Sequence, residues 1–163
     1  MPVVPLPAAS SASVRFENQA LCLVADLGPL LRVNWRPGST CSTALRAGLE
    51  HLLPYLTQCP VHRVLLDQRD MGPLGEGDAL WLLLQWLPRA TQQGQGYIAV
   101  LPPTDILCRL TTYALQMQAQ TRFACTFQNF AHEQEAVCWL RTTGEAAPLR
   151  GDDGRLAGLA QLA

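Results

Sequence analysis

The sequence predicts an α/β fold: a mixed, mostly parallel sheet of about five strands with helices packed on it, in the order β-β-α-β-α-β-α-β-α. Three observations predict it. From Arg63 to Leu140, short apolar runs alternate with helical periodicity, and that alternation requires parallel strands joined by right-handed crossovers. The first two strand-like runs are separated only by Asp26-Leu-Gly-Pro29, so they form an antiparallel hairpin at the sheet edge. A chain of 163 residues, 48% of them hydrophobic, fills one core but not two.

Residues 1–13, rich in Pro, Ala and Ser, are expected to be disordered. Residues 14–143 form the single domain, and residues 144–163 a flexible tail with a weak helical tendency over 155–162. Ala20–Ala25 and Leu30–Trp35 are the hairpin strands. Pro37-Gly38 ends the ladder, and Ser39, Thr40 or Ser42 caps the first helix through its hydroxyl. That helix carries Leu45, Leu49, Leu52, Leu53 and Leu56 at helical spacing, and Pro54 bends or shortens its last part.

The strand Arg63–Asp67 follows, then an acidic loop with three glycines, then a second helix from about Asp78. This helix is apolar almost all round and contains Pro88, which should kink it. Tyr97–Leu101 is the next strand, closed by Pro102-Pro103. Thr104 caps a third helix to about Gln118, with Ile106, Leu107, Leu110, Ala114, Leu115 and Met117 as its buried face. Arg122–Phe127 is the last strand, and Ala131–Leu140 the last helix.

Composition excludes several functions. The formal net charge is −1, so no global field draws in nucleic acid or an anionic membrane. All basic residues are Arg, so chemistry needing a side-chain amine is absent. Six cysteines without a CxxC pair fit neither a zinc site nor a secreted disulfide scaffold, and four of them (Cys22, Cys108, Cys125, Cys138) lie in apolar runs. They read as reduced core thiols of a cytoplasmic protein. The amino end lacks the pattern of a signal peptide, and the longest apolar stretch, Ala79–Leu87, is too short to span a bilayer.

The candidate site is the loop after the third predicted strand, because open α/β sheets place functional crevices at the carboxyl ends of their strands. Asp67, Arg69, Asp70, Glu76 and Asp78 form the candidate interaction loop. Its carboxylates either hold a divalent cation or act as an acid–base pair, or they are helix-start acids with a strand-end Asp tying down loop amides. The second reading is preferred, and no metal, cofactor or catalytic residue is assigned. Gly72, Gly75 and Gly77 do not make a phosphate loop: the third glycine of a dinucleotide fingerprint is missing, and no Lys exists for a Walker loop. His51, His62 and His132 have no nucleophile motif beside them. Trp81, Trp86 and Trp139 are embedded among aliphatic residues, which favours packing over base stacking.

Several runs together resemble a family. Arg63-Val-Leu-Leu-Asp-Gln-Arg69, Trp81, Trp86-Leu-Pro-Arg-Ala90, Tyr97-Ile-Ala-Val-Leu-Pro102, Phe123–Phe127 and Ala136-Val-Cys-Trp-Leu140 are similar to bacterial STAS-like proteins. That group is related to anti-sigma-factor antagonists and to the lipid-binding CRAL-TRIO fold. The resemblance covers about Phe16 to Arg141 and implies a mixed sheet with helices on its faces. Phosphorylated antagonists carry a Ser or Thr in the loop before the second helix; here Asp67–Asp78 contains no hydroxyl, which speaks against a kinase-controlled switch.

The functional expectation is a non-catalytic regulatory or protein-interaction module of STAS-like type. A helix without a wet face must be covered on both sides, and surplus apolar surface marks association. The expected partner is a second copy, a homodimer, or another protein, with Trp81, Leu83, Trp86 and Arg89 as the interface helix. The alternative is a small binder of an apolar ligand or lipid, which needs an internal pocket of several hundred Å³.

Overall fold

Six strands form one sheet in chain order: β1 (Ser13–Glu17), β2 (Leu21–Ala25), β3 (Leu30–Trp35), β4 (Val61–Asp67), β5 (Gln95–Leu101) and β6 (Cys125–Asn129). The computed structural model describes residues 13–25, 30–38, 41–57, 61–92 and 94–143. Expectations for residues 1–12, the Asp26–Pro29 turn, caps at Ser39 and Thr40, and residues 144–163 lie outside those described. β1, β2 and β3 pair antiparallel, and β3 through β6 pair parallel.

The α/β class and the β2–β3 hairpin are as expected. The sheet has one strand more than the expected five. The extra strand is β1: Val14 is exposed and Phe16 packs only partly on the core, so it adds little buried surface. A register shift between Val14 and Phe16 gives this edge the bulge that discourages further pairing. Asn18 holds the β1–β2 turn: its Oδ1 accepts from the amides of Ala20 and Leu21 at 2.9 Å. Its Nδ2 donates to the Ala44 carbonyl at 2.6 Å.

Alternation along the parallel strands divides the interior. Val64 and Leu66 face one core, and Leu65, Ala99 and Leu101 face the other. Three helices cover the first face: α1 (Ser42–Thr57), α2 and α3 (Ile106–Arg122). α2 runs as Glu76–Trp81, a π-helical segment Leu82–Trp86 and a last turn Leu87–Ala90. Each crossover advances the chain by one strand with its helix on the same face, so all three share one hand. Among the described residues, α4 (Glu133–Thr142) alone covers the second face, burying Ala136 and Leu140. Trp139 meets Tyr97 edge-on and Phe130 at a tilt.

α1 buries Leu45, Leu49, Leu52 and Leu56 as its periodicity predicts, and continues past Pro54 to Thr57. Each buried Leu contributes about 1.5–3 kcal/mol by leaving water. Gly48 brings α1 against β2: a Cβ there would stand 2.6 Å from Leu21 Cδ1, and Leu21 is fully buried. Gly38, at φ 112°, is suited to its place by lacking a Cβ, and bridges in parallel to Met71 beyond β4.

The Pro88 expectation takes a definite form. Proline has no amide hydrogen for the carbonyl four residues earlier, and its ring crowds that carbonyl. The helix widens before it, and the Leu87 amide reaches back five residues to the Leu82 carbonyl, a π-turn that absorbs the mismatch.

α3 departs furthest from expectation. Its cap is Asp105, whose side chain accepts from the Cys108 amide at 2.9 Å. Thr104 instead donates its hydroxyl to the Arg69 carbonyl at 3.0 Å. The apolar stripe exists but points outward: Ile106, Leu107, Leu110 and Met117 are 66, 72, 58 and 69% exposed. The inward face is Cys108, Thr112, Gln116 and Ala119. Gln116 and Asn129 exchange two amide hydrogen bonds, at 2.8 and 3.2 Å, pinning that face to the end of β6.

Candidate functional site

Asp67 ends β4 and meets a closed ion network. Its Oδ2 accepts from Arg69 Nη2 at 2.6 Å and Arg32 Nη2 at 3.1 Å, and its Oδ1 from Arg69 Nε at 2.9 Å. Arg32, on β3, also pairs with Glu133 in the first turn of α4, where an acid suits the helix dipole. Two guanidiniums and two carboxylates so neutralise one another at the carboxyl edge of the sheet. Burial pushes the Asp67 carboxyl up, but the Arg69 hydrogen bonds and the charges of Arg69 and Arg32 outweigh it, leaving it below the usual carboxylate range. The hydrogen bond to Asp67 raises the Arg69 guanidinium in turn.

Asp78 is drawn into the domain rather than presented to a partner. It is 2% exposed and accepts from Ser42 Oγ at 2.6 Å and Arg46 Nε at 2.9 Å. Ser42 therefore acts as a donor linking α1 to α2. Arg46 also lies over the Trp81 ring, 5.1 Å from its centroid. Arg69, Asp70 and Glu76 are exposed. The acidic loop does not converge on a cation: no group of three or more His, Cys, Asp or Glu side chains among the described residues is arranged to hold a metal.

The expected interface helix is corrected by burial. Leu83 and Trp86 are 6% and 7% exposed and belong to the core, and Trp86 Nε1 donates to the Leu49 carbonyl at 2.8 Å. Trp81 is half-buried. Arg89 is exposed, but its Nη1 donates to Glu50 Oε2 at 3.0 Å, joining α2 to α1. Leu80 and Leu84 are the large apolar side chains α2 leaves exposed.

Behind α2, against the sheet, lie two cavities. One, of about 80 Å³, is lined by His62, Val64 and Ile98; the other, of about 100 Å³, by Trp35, Gln68, Thr112 and Leu115. Leu66, Trp86, Leu87 and Phe127 line both. Buried polar atoms without a hydrogen-bond partner gather on these walls: both His62 nitrogens, Trp35 Nε1, Gln68 Oε1 and Thr112 Oγ1. His62 does not precede β4, as expected, but lies within it, buried, and burial lowers its pKa.

His51 is exposed and stacks on Phe16, and His132 precedes α4. Cys108 and Cys125 are buried as expected, and burial pushes both thiols up, Cys125 to about 11. Cys138 departs from the expected core position and is exposed, like Cys41. No helix among the described residues is long and apolar enough to cross a membrane.

The fold and these features define an α/β domain with a neutralised polar rim, an outward apolar helix and an internal cleft. The chain matches no family model, no curated protein and no solved structure.

Proposed function

We propose that the chain is a non-catalytic regulatory module of STAS-like type that works as a homodimer docked through α3. One observation carries the reading: Ile106, Leu110, Ala114 and Met117 lie on one side of α3, flanked by Leu107, and all are exposed. Exposed apolar side chains scattered singly are ordinary, but a continuous helical stripe marks association. A second copy suits it. α3 carries only Arg109 and Arg122 as charged residues, and Arg109 is folded back onto the Pro103 carbonyl at 2.9 Å. Two such stripes meet with little like-charge repulsion, as an isologous contact requires.

The mixed sheet with helices on both faces supports the STAS-like reading. The closed pairing of Asp67 and Asp78 with Arg side chains supports a role without catalysis, and leaves the exposed Asp70 and Glu76 as a polar rim for partner recognition. A cytoplasmic setting suits the exposed free thiols of Cys41 and Cys138.

Sedimentation velocity tests the proposal. The wild type sediments as a dimer at tens of micromolar, and Leu107→Glu/Leu110→Glu as a folded monomer whose thermal midpoint, unlike that of the wild type, does not rise with protein concentration. A monomeric wild type, or a double variant that remains dimeric, contradicts it.

A further inference from the structure

The two cavities under α2 have a composition that describes an occupant. Their walls are almost wholly apolar, and no ionised side chain lines either one: His62, Gln68, Thr91, Thr112 and Gln116 are the polar lining residues apart from the indole of Trp35. His62, Gln68, Thr112 and Trp35 are each more than nine-tenths buried and carry atoms without a hydrogen-bond partner. Buried polar groups in folded proteins are ordinarily paired. A cleft combining apolar walls with a few unpaired polar atoms is the usual form of a small-molecule site.

Size and charge restrict the ligand. An engineered apolar cavity of about 150 Å³ admits benzene. The larger cavity here, about 100 Å³, borders the smaller one of about 80 Å³ across the shared side chains Leu66, Trp86, Leu87 and Phe127. One ring needs the two volumes together, so its entry requires those four side chains to give way. The several hundred Å³ needed by a lipid chain is not there. A carboxylate or phosphate entering would lose its hydration without gaining a cationic partner. A neutral hydroxyl or N–H would instead find Gln68 Oε1 or Thr112 Oγ1, and a neutral acceptor would find Trp35 Nε1.

We propose that this cleft binds a small, uncharged, ring-sized molecule carrying one hydrogen-bonding group, entering beside the half-buried Leu115 of α3. The site is independent of the dimer reading, because its walls come from the interior of one chain.

Phenol, benzene and benzoate are the probes, titrated at pH 7 into the full chain and into the Leu107→Glu/Leu110→Glu variant. Amide and indole ¹H–¹⁵N spectra report on Trp35 and Trp86. Phenol is expected to shift both indole signals and to bind at least tenfold more tightly than benzene, while benzoate leaves them unmoved. Gln68→Leu/Thr112→Val removes the preference for phenol, and Leu115→Trp, which fills the cleft from α3, abolishes binding. Leu74→Trp fills the same cavity from the loop should Leu115→Trp not fold. The proposal is overturned if phenol leaves the indole signals unchanged at millimolar concentration, which would mean water alone in the cleft. It is equally overturned by equal affinity for phenol and benzene, or by undiminished phenol binding in a folded cleft-filling variant.

Discussion

α2 and α3 lie side by side on one face of the sheet and use their apolar residues in opposite ways. α2 looks too apolar for a single buried face, yet Leu83, Trp86, Leu87 and Ala90 turn inward to the core and leave mainly Leu80 and Leu84 outside. α3 has an ordinary amphipathic pattern, yet its apolar stripe faces out and its inner face is held by Thr112, Gln116 and small residues. Periodicity identifies a stripe; it does not say which body covers it. The helix that resembles an interface is core, and the helix that resembles core is the exposed surface.

The largest expected effect breaks the α2 side of this contrast. Trp86→Ala removes a buried ring and leaves the Leu49 carbonyl without its donor, so the domain loses about 3–5 kcal/mol. In solution dilute enough for the single chain, the outward Leu110→Glu should change stability by no more than about 0.5 kcal/mol. Urea denaturation of the two variants checks the difference, and equal losses would erase the distinction between the helices.

Asn129→Ala sharpens the α3 side. It leaves the buried Gln116 amide unpaired, at a cost of about 1–3 kcal/mol. Amide exchange should quicken in α3 while α1 keeps its protection.

Smaller still are the proton-linked effects. His62 has a lowered folded pKa, so below its ordinary value of about 6.5 the unfolded chain binds a proton that the folded chain resists. Stability is therefore full above that pH and falls on acidification, and His62→Leu should flatten the profile between pH 7 and 5. Asp67 is also lowered, by the Arg69 and Arg32 interactions that overcome its burial. For a carboxylate this stabilisation is present above its ordinary pKa and is lost as pH falls through the folded one. Asp67→Asn should remove that acid-limb loss below about pH 4, read as urea midpoints across the range.

Much of the fold was legible in the sequence because its signals are local. Apolar runs marked β2 through β6, the short Asp26–Pro29 connection marked the hairpin, and the leucines of α1 declared their inner face. β1 was not legible, although Ser13-Val-Arg-Phe-Glu17 alternates, because two apolar residues beside a Pro-, Ala- and Ser-rich segment make a weak strand signal. Asp67 reads as a strand-end residue tying down loop amides, and its Oδ1 accepts from the Arg69 amide at 3.3 Å. Arg32, which also donates to it, lies 35 positions away and pairs in turn with Glu133, 101 positions further along, separations that carry no local signal. The cleft was also hidden, since Gln68 and Thr112 line one cavity from distant parts of the chain and His62 lines its neighbour. A histidine and a glutamine flanking the apolar residues of one strand were the only hints.

Oxidation of methionine by peroxide, followed by peptide mass spectrometry across a range of protein concentration, tests the outward α3 face most directly. Met117 is exposed on the stripe, and Met71 is buried in the core. Met117 is expected to oxidise rapidly in dilute solution and to become protected as concentration rises, with Met71 slow throughout. A Met117 rate that is slow in dilute solution, or that stays fast at every concentration, contradicts a face that is open in the single chain and closed by its copy.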